Sequence, residues 1–272
     1  MDMKTCLRAI ALAATLLIAA CGIFKPAPVK DLPDRPADAL FTEASQKLEA
    51  SKYADAAILF DDVERLHPYS PYATRAQLMA AYAQYQALKY DDALLALDRF
   101  IQLHPGHPDI AYAHYLRALC LYERITDIHR DQEITRQAVN ALTDIVRRFP
   151  ETNYARDAQI KIDLAHDHLS GKEMEIGRYY LKRGNYAAAI NRFRRVIADY
   201  QTTSHVPEAL HRLVEANLAL GLTEEAAKVA AVLGYNFPGS TWYEDSYRLL
   251  VEKGAPPKPK SWVRKTLDSL LD

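Results

Sequence analysis

Lys52-Tyr53-Ala54-Asp55-Ala56-Ala57 leading to Leu66-His67-Pro68, and Lys89-Tyr90-Asp91-Asp92-Ala93-Leu94 leading to Leu103-His104-Pro105, are one pattern written twice, displaced by 37 residues. In each copy a Tyr opens a helical run, a small residue stands three positions on (Ala56, Ala93), a large one seven on (Phe60, Leu97), and a Pro closes it. A small side chain lets an antiparallel neighbour approach, and Pro, with no N–H to donate, ends the run. The preceding segments carry Ala44 and Ala81 at matching places, so each unit reads as two helices joined by a short turn.

Three more units follow. Ala138, Leu142, Ile145 and Pro150 outline a third second-helix. Its partner, around Leu116 and Ala118, lies about eight residues too far upstream, so residues 126–135 read as an insertion in the turn. Gly177, Tyr180, Tyr186, Ala189, Phe193 and Val196 mark the fourth unit, with Gln201 where Pro is expected; Leu210, Leu213, Gly221, Ala226 and Leu233 up to Pro238 mark the fifth. This is the grammar of the tetratricopeptide repeat. The chain is therefore expected to be all-α: a tetratricopeptide-repeat solenoid of five repeats, at about 38–70, 74–107, 111–152, 170–203 and 207–240, within one domain over 38–253. A C-terminal capping helix over 241–253, with Trp242, Tyr243, Tyr247 and Leu250, closes the last repeat. Residues 153–183 read as helix throughout, either as one long helix or with an elbow at Ser170-Gly171.

The ends follow other rules. Lys4 and Arg8 precede an apolar run from residue 9 to residue 20 that is too short to span a bilayer and closes on Ile18-Ala19-Ala20-Cys21. The pattern resembles a bacterial lipoprotein signal peptide over 1–20, which implies acylation of Cys21; Gly22 after the Cys implies sorting to the outer membrane. An uncleaved anchor helix and ordinary secretion are the alternatives. Several acyl chains, at about 0.8 kcal/mol per buried methylene, hold a protein stably where one chain is marginal. Residues 21–37, with Pro26, Pro28, Pro33 and Pro36, read as an extended tether. With Cys6 lost and Cys21 acylated, Cys120 has no partner, so a disulfide scaffold is excluded. Its apolar neighbours Ala118, Leu119 and Leu121 suggest a small buried side chain rather than a nucleophile. Residues 254–260 form a Pro/Lys linker, and 262–271 a short amphipathic segment with Val263, Leu267, Leu270 and Leu271 on one face, suited to docking on the solenoid or on a partner.

No catalytic constellation is visible: there is no phosphate-cradling Gly loop, no Gly-x-Ser-x-Gly and no His-Glu-x-x-His. Neither a cofactor nor a metal is expected. His67, His104 and His107 stand beside Pro in inter-repeat turns and read as surface turn residues; His166 and His168, two apart on a helix, point to different faces. The formal charge of −1, about −2 without residues 1–20, does not suit nucleic-acid binding. Arg192, Arg194 and Arg195 form either a solvated helix face or a contact for an acidic partner.

In a solenoid of this type the first helices line the concave side. Counting back from each closing Pro places Phe41, Ser45 and Leu48 of the first repeat there, with Arg75, Leu78, Tyr82 and Tyr85 of the second, while Ala118 sets the third-repeat register and adds Tyr112, Tyr115, Leu119 and Tyr122. Tyr gives large, stiff, amphipathic contact area at low entropic cost, which suits an extended peptide bearing aromatic residues. Filling of the interface between neighbouring repeats is the alternative use of the same rings.

Beyond the generic repeat, three stretches are distinctive: His67-Pro68-Tyr69-Ser70-Pro71-Tyr72-Ala73, Asp98-Arg99-Phe100-Ile101-Gln102-Leu103-His104-Pro105-Gly106-His107-Pro108, and Arg178-Tyr179-Tyr180-Leu181-Lys182-Arg183-Gly184 running on to Asn191-Arg192. With the tether and five repeats, they resemble the BamD (ComL) family from Cys21 to about Lys253. The resemblance implies a non-catalytic lipoprotein on the periplasmic face of the outer membrane of a Gram-negative bacterium, acting as scaffold and receptor in the β-barrel assembly machinery. It implies docking of the C-terminal repeats on the POTRA region of BamA, association with other Bam subunits, and capture of the C-terminal segments of unfolded outer-membrane proteins by the N-terminal repeats. Gln201 and the tail after Gly254 depart from the family pattern. A periplasmic repeat lipoprotein coordinating peptidoglycan or cell division is the rival reading. A peptidoglycan-active enzyme lacks the carboxylates or nucleophile it would need.

Overall fold

Tyr53 and Tyr90 each open a helix, as the repeated pattern requires. The computed structural model describes residues 35–128 and 130–254. The expected signal peptide with Cys21, most of the expected tether and the expected amphipathic segment lie outside the described residues. Within them the chain forms helices and no strand. In order, α1 (Ala37–Glu49) pairs with α2 (Tyr53–Leu66), α3 (Ala73–Gln86) with α4 (Tyr90–Leu103), and α5 (Ile110–Tyr122) with α6 (Glu133–Arg148). The long α7 (Asn153–Lys182) pairs with α8 (Tyr186–Asp199), α9 (Val206–Ala219) with α10 (Thr223–Asn236), and α11 (Thr241–Glu252) caps the stack. This is the five-repeat all-α solenoid. Among the described residues no helix is long and apolar enough to cross a membrane.

One turn joins the helices of four pairs. Two residues past the first helix, the backbone turns left-handed at Ser51 (φ 58°), Leu88 (φ 60°), Gly184 (φ 75°) and Gly221 (φ 76°). The next N–H then reaches back to an open carbonyl: Lys52 to Lys47 at 2.8 Å, Lys89 to Gln84 at 2.9 Å, Asn185 to Tyr180 at 3.0 Å, Leu222 to Asn217 at 2.9 Å. That bond satisfies the helix end and reverses the chain. Pro68, Pro105, Pro150 and Pro238 follow C-caps with nearly the same backbone: His67, His104, Phe149 and Phe237 all have φ between −128° and −133°. Tyr200 adopts φ −133° ahead of Gln201. The turn geometry therefore survives the loss of Pro at that position.

In the first, second and fourth pairs the large residue seven positions into the second helix fills the pair. Phe60, Leu97 and Phe193 are fully buried, each contributing about 1.5–3 kcal/mol by leaving water. Opposite Phe193 the first helix carries Gly177, where a methyl group would stand 2.8 Å from Phe193 Cζ. Gly177 is thus the close-contact glycine that the pattern anticipates.

Two expectations need correction or completion. The insertion occupies 123–132, not 126–135, because Gln132 and Asp131 start α6 early. The Asp131 carboxylate accepts from Glu133 N–H at 3.3 Å, and the buried Gln132 amide donates to the Arg130 and Ile128 carbonyls at 2.9 and 3.3 Å. Ser170-Gly171 is not an elbow: α7 runs unbroken through it. Both residues are buried, Ser170 Oγ lies 3.1 Å from Thr203 Oγ1, and a Cβ on Gly171 would stand 3.2 Å from His205 Nε2. Small residues are needed there for close approach rather than for bending.

Candidate functional site

The first helices α1, α3 and α5 carry the residues that the repeat register turns inward, and the N-terminal half of α7 continues the same wall. Tyr82, Tyr85, Tyr112, Tyr115 and Tyr122 are all half-buried, one flank packed on the core and one left open. Tyr82, Tyr85 and Tyr112 lie against the apolar cluster of Leu78, Leu97 and Leu116; Tyr115 and Tyr122 lie against that of Leu142, Ala158 and Ile162. They stand at the seams between successive pairs, so each ring both fills an interface and presents an edge.

Two of these rings, Tyr112 and Tyr115, are joined by a residue that the sequence reading passed over. Tyr154, at the start of α7, sits 5.6 Å from Tyr112 and stacks on Tyr115 at 5.1 Å between centroids. Its position was legible, because it follows Pro150 by the same four residues that separate Tyr72 from Pro68. The Tyr115 hydroxyl donates to the Asp157 carboxylate, and Lys161 Nζ stands 5.2 Å from the centre of the Tyr122 ring. The Tyr82 hydroxyl accepts from Gln86 Nε2 at 2.9 Å. Burial, reinforced by the negative charge of Glu123, pushes Tyr85 up to about 12. Tyr112 and Tyr115 are also raised, by burial first and then by neighbouring phenols and, for Tyr115, the bond to Asp157. All three stay neutral donors in any physiological medium.

Beyond Tyr122 the wall opens into a recess of about 280 Å³ lined by Tyr122, Glu123, Ile125, Leu164, Ala165 and His168. At the other end Phe41 meets Tyr72 at 5.4 Å and Phe60 at 5.3 Å, and the Arg75 guanidinium lies 5.4 Å over the Phe41 ring. Phe41 and Arg75 thus form a second aromatic group, centred on the first pair. A face of this composition can bind an extended chain by ring contacts and hydroxyl hydrogen bonds; nothing in its geometry activates a nucleophile.

Arg192 and Arg195 on α8 are already paired: both donate to Glu173 of α7 at 3.0 Å, while Arg194 is exposed. Cys120 is fully buried, and burial pushes its thiol up to about 12, which removes it as a nucleophile. The turn histidines are not simple surface residues. His67 Nε2 lies 2.7 Å from the Arg35 carbonyl oxygen, His104 Nε2 lies 2.8 Å from Gln77 Oε1, and the rings of His104 and His107 flank Phe100 at 5.1 and 5.2 Å. They are half-buried because each turn packs on the helix pair beside it. His166 meets Tyr200 at 5.7 Å while His168 faces the recess, so the two do diverge. Among the described residues no cluster of His, Cys, Asp and Glu is arranged to hold a metal.

Comparison with known proteins adds an independent line. Residues 33–233 match the YfiO family, described as an outer membrane lipoprotein. The outer membrane protein assembly factor BamD of Caulobacter vibrioides is 49% identical over 252 residues, covering 92% of this chain and 83% of the relative. That of Rickettsia prowazekii is 48% identical over 215 residues, covering 79% and 86%. That of Neisseria meningitidis serogroup A is 36% identical over 219 residues, covering 77% and 82%. Among solved structures, the TPR2AB domain of yeast Sti1 in its pHSP90 complex covers 86% of this chain and 96% of its own, at 12% identity and a TM-score of 0.42.

Proposed function

The chain belongs to the BamD family of outer membrane protein assembly factors, within the YfiO outer membrane lipoproteins, and on that footing we propose a non-catalytic receptor and scaffold with three working parts. Lipid on Cys21 holds the chain to the periplasmic face of the outer membrane. The wall of Tyr82, Tyr85, Tyr112, Tyr115 and Tyr122, with Phe41 and Arg75 at its N-terminal end, receives the C-terminal segments of unfolded outer-membrane proteins. The fourth and fifth helix pairs, with Arg192, Arg194 and Arg195 on α8, hold the POTRA region of BamA and other Bam subunits. Arg194, which lies outside the pairing with Glu173, makes the first contact with an acidic partner.

The observation that carries the receptor reading is the chain of phenol rings running from Tyr112 through Tyr154 to Tyr115 along consecutive first helices. Such rings bind an aromatic-rich strand without needing it to be charged or folded. The mechanism is local concentration and alignment at a surface rather than turnover.

Tyr82→Ala combined with Tyr115→Ala is expected to weaken binding of a barrel-protein C-terminal peptide by about tenfold, since an aromatic contact contributes about 0.5–1.5 kcal/mol beyond its buried area. Helical circular dichroism should be unchanged. Undiminished peptide affinity would refute the assignment of the wall. Affinity isolation of the full chain from solubilised membranes tests the scaffold role: a large barrel protein in the eluate supports it, and murein fragments in its place favour the peptidoglycan reading.

A further inference from the structure

The capping helix α11 ends as the first helices of four repeats end. Two residues past its last residue, Gly254 turns left-handed with φ 67° and its N–H bonds the Val251 carbonyl at 3.0 Å. Ser51, Leu88, Gly184 and Gly221 do the same, and in each of those cases a second helix of 14 residues begins two positions later. A left-handed glycine ends many helices; what sets this one apart is the surface that precedes it.

The residues that a following helix would cover stand open. Seven positions before the left-handed residue, the repeats carry Ala44, Ala81, Gly177 and Val214, all buried, and Gly177 meets Phe193 of its own second helix. In α11 that position is Tyr247, and it is 47% exposed. Three positions before, Leu48, Tyr85, Leu181 and Leu218 are half-buried, whereas Val251 is 52% exposed. Tyr247 and Val251 are one turn apart and make an apolar strip on the end of a solenoid, where a polar outer face is the rule.

The chain beyond Gly254 carries matching chemistry. Nine positions after the left-handed residue the repeats place Phe60, Leu97, Phe193 and Ala230, all fully buried; the same count from Gly254 reaches Val263, and Leu267, Leu270 and Leu271 share its helical face. Pro259 falls where Ala56, Ala93, Ala189 and Ala226 stand, and Pro suits the first residue of a helix rather than its interior. We infer that the segment 259–271 packs over Tyr247 and Val251 as the shortened second helix of a sixth pair, and that α11 is a first helix awaiting it. The occupant is the chain's own tail, and the idea is independent of how the tyrosine wall is used.

Two experiments on the full chain decide it. Tyr247→Cys with Val263→Cys, placed like Gly177 and Phe193, is expected to form an intramolecular disulfide under mild oxidation, read by mass spectrometry of linked peptides. A bridge between two chains, which would mark a second copy as the occupant, or no bridge at all, overturns the inference. Leu267→Asp lies in the tail and leaves the solenoid intact. It is expected to speed hydrogen exchange at the amides of residues 247–252 by about tenfold through loss of one buried Leu. Unchanged exchange there also overturns the inference and leaves the strip to a different protein.

Discussion

Tyr115 lies nearly flat on Tyr154, with ring centroids 5.1 Å apart and planes 28° from parallel, and its hydroxyl reaches past that ring to Asp157. The pair ties the third helix pair to the long helix while leaving an aromatic face open. Tyr154→Ala therefore removes both a packing contact and part of the proposed binding face. The expected outcome is a roughly tenfold loss of affinity for a barrel-protein C-terminal peptide and a stability loss of about 1–2 kcal/mol. Peptide titration by calorimetry and urea denaturation separate the two. Tyr154→Phe, which keeps the stack, should retain nearly all of both.

Gly177 sits where any side chain would enter the Phe193 ring. Gly177→Ala is expected to destabilise the chain by about 1–3 kcal/mol through overpacking, even though Ala favours a helix more than Gly does. In a Phe193→Leu background the penalty should shrink, because the smaller side chain yields room. A double-mutant cycle in urea gives the coupling directly.

Leu88 holds the left-handed position of its turn while 71% exposed. An L-residue there is strained by about 1–2 kcal/mol, and Gly loses about 0.5–1 kcal/mol more on ordering than other residues. Leu88→Gly is therefore expected to stabilise the chain by about 0.5–1 kcal/mol, visible as a higher urea midpoint. Gly184→Ala and Gly221→Ala, at the same place in later repeats, should do the reverse.

His211 is buried between α9 and the capping helix, its Nδ1 2.9 Å from Ser246 Oγ and its ring 5.2 Å from Trp242. Burial holds its pKa below the ordinary 6.5, against the opposing pull of Glu215, with Arg212 acting alongside burial. His114 is lowered as well, by burial and then by Arg148 and Arg117. As pH falls through about 6.5 the unfolded chain binds protons that the folded chain declines, so stability is full above that value and drops as the medium becomes more acid. Urea midpoints measured from pH 7.5 down to 5.5 should decline. His211→Asn should decline less steeply over the same interval.

What could be read in advance was whatever repeats. Tyr at the opening, Ala three on, a large side chain seven on and Pro at the close recur from unit to unit because each does the same packing job wherever it appears, and Gly177 stood out for the same reason. What escaped was whatever depends on a partner elsewhere in the chain. Tyr154 read only as the start of a long helix, and its contacts with Tyr112 and Tyr115 come from a neighbouring pair. Ser170-Gly171 could equally mark a bend or a close approach, and only Thr203 and His205 on the facing turn decide for the second. Arg192 and Arg195 looked like open charge because Glu173, which both of them grip, lies across a helix pair.

The unbroken α7 has a mechanical consequence. Its 30 residues form a rod about 45 Å long that belongs to both halves of the molecule, packed on α6 at one end and on α8 at the other. Kinking the rod at its middle would break backbone hydrogen bonds of the helix and part Ser170 from Thr203. The orientation of the fourth and fifth pairs is thereby tied to that of the first three through a single continuous helix.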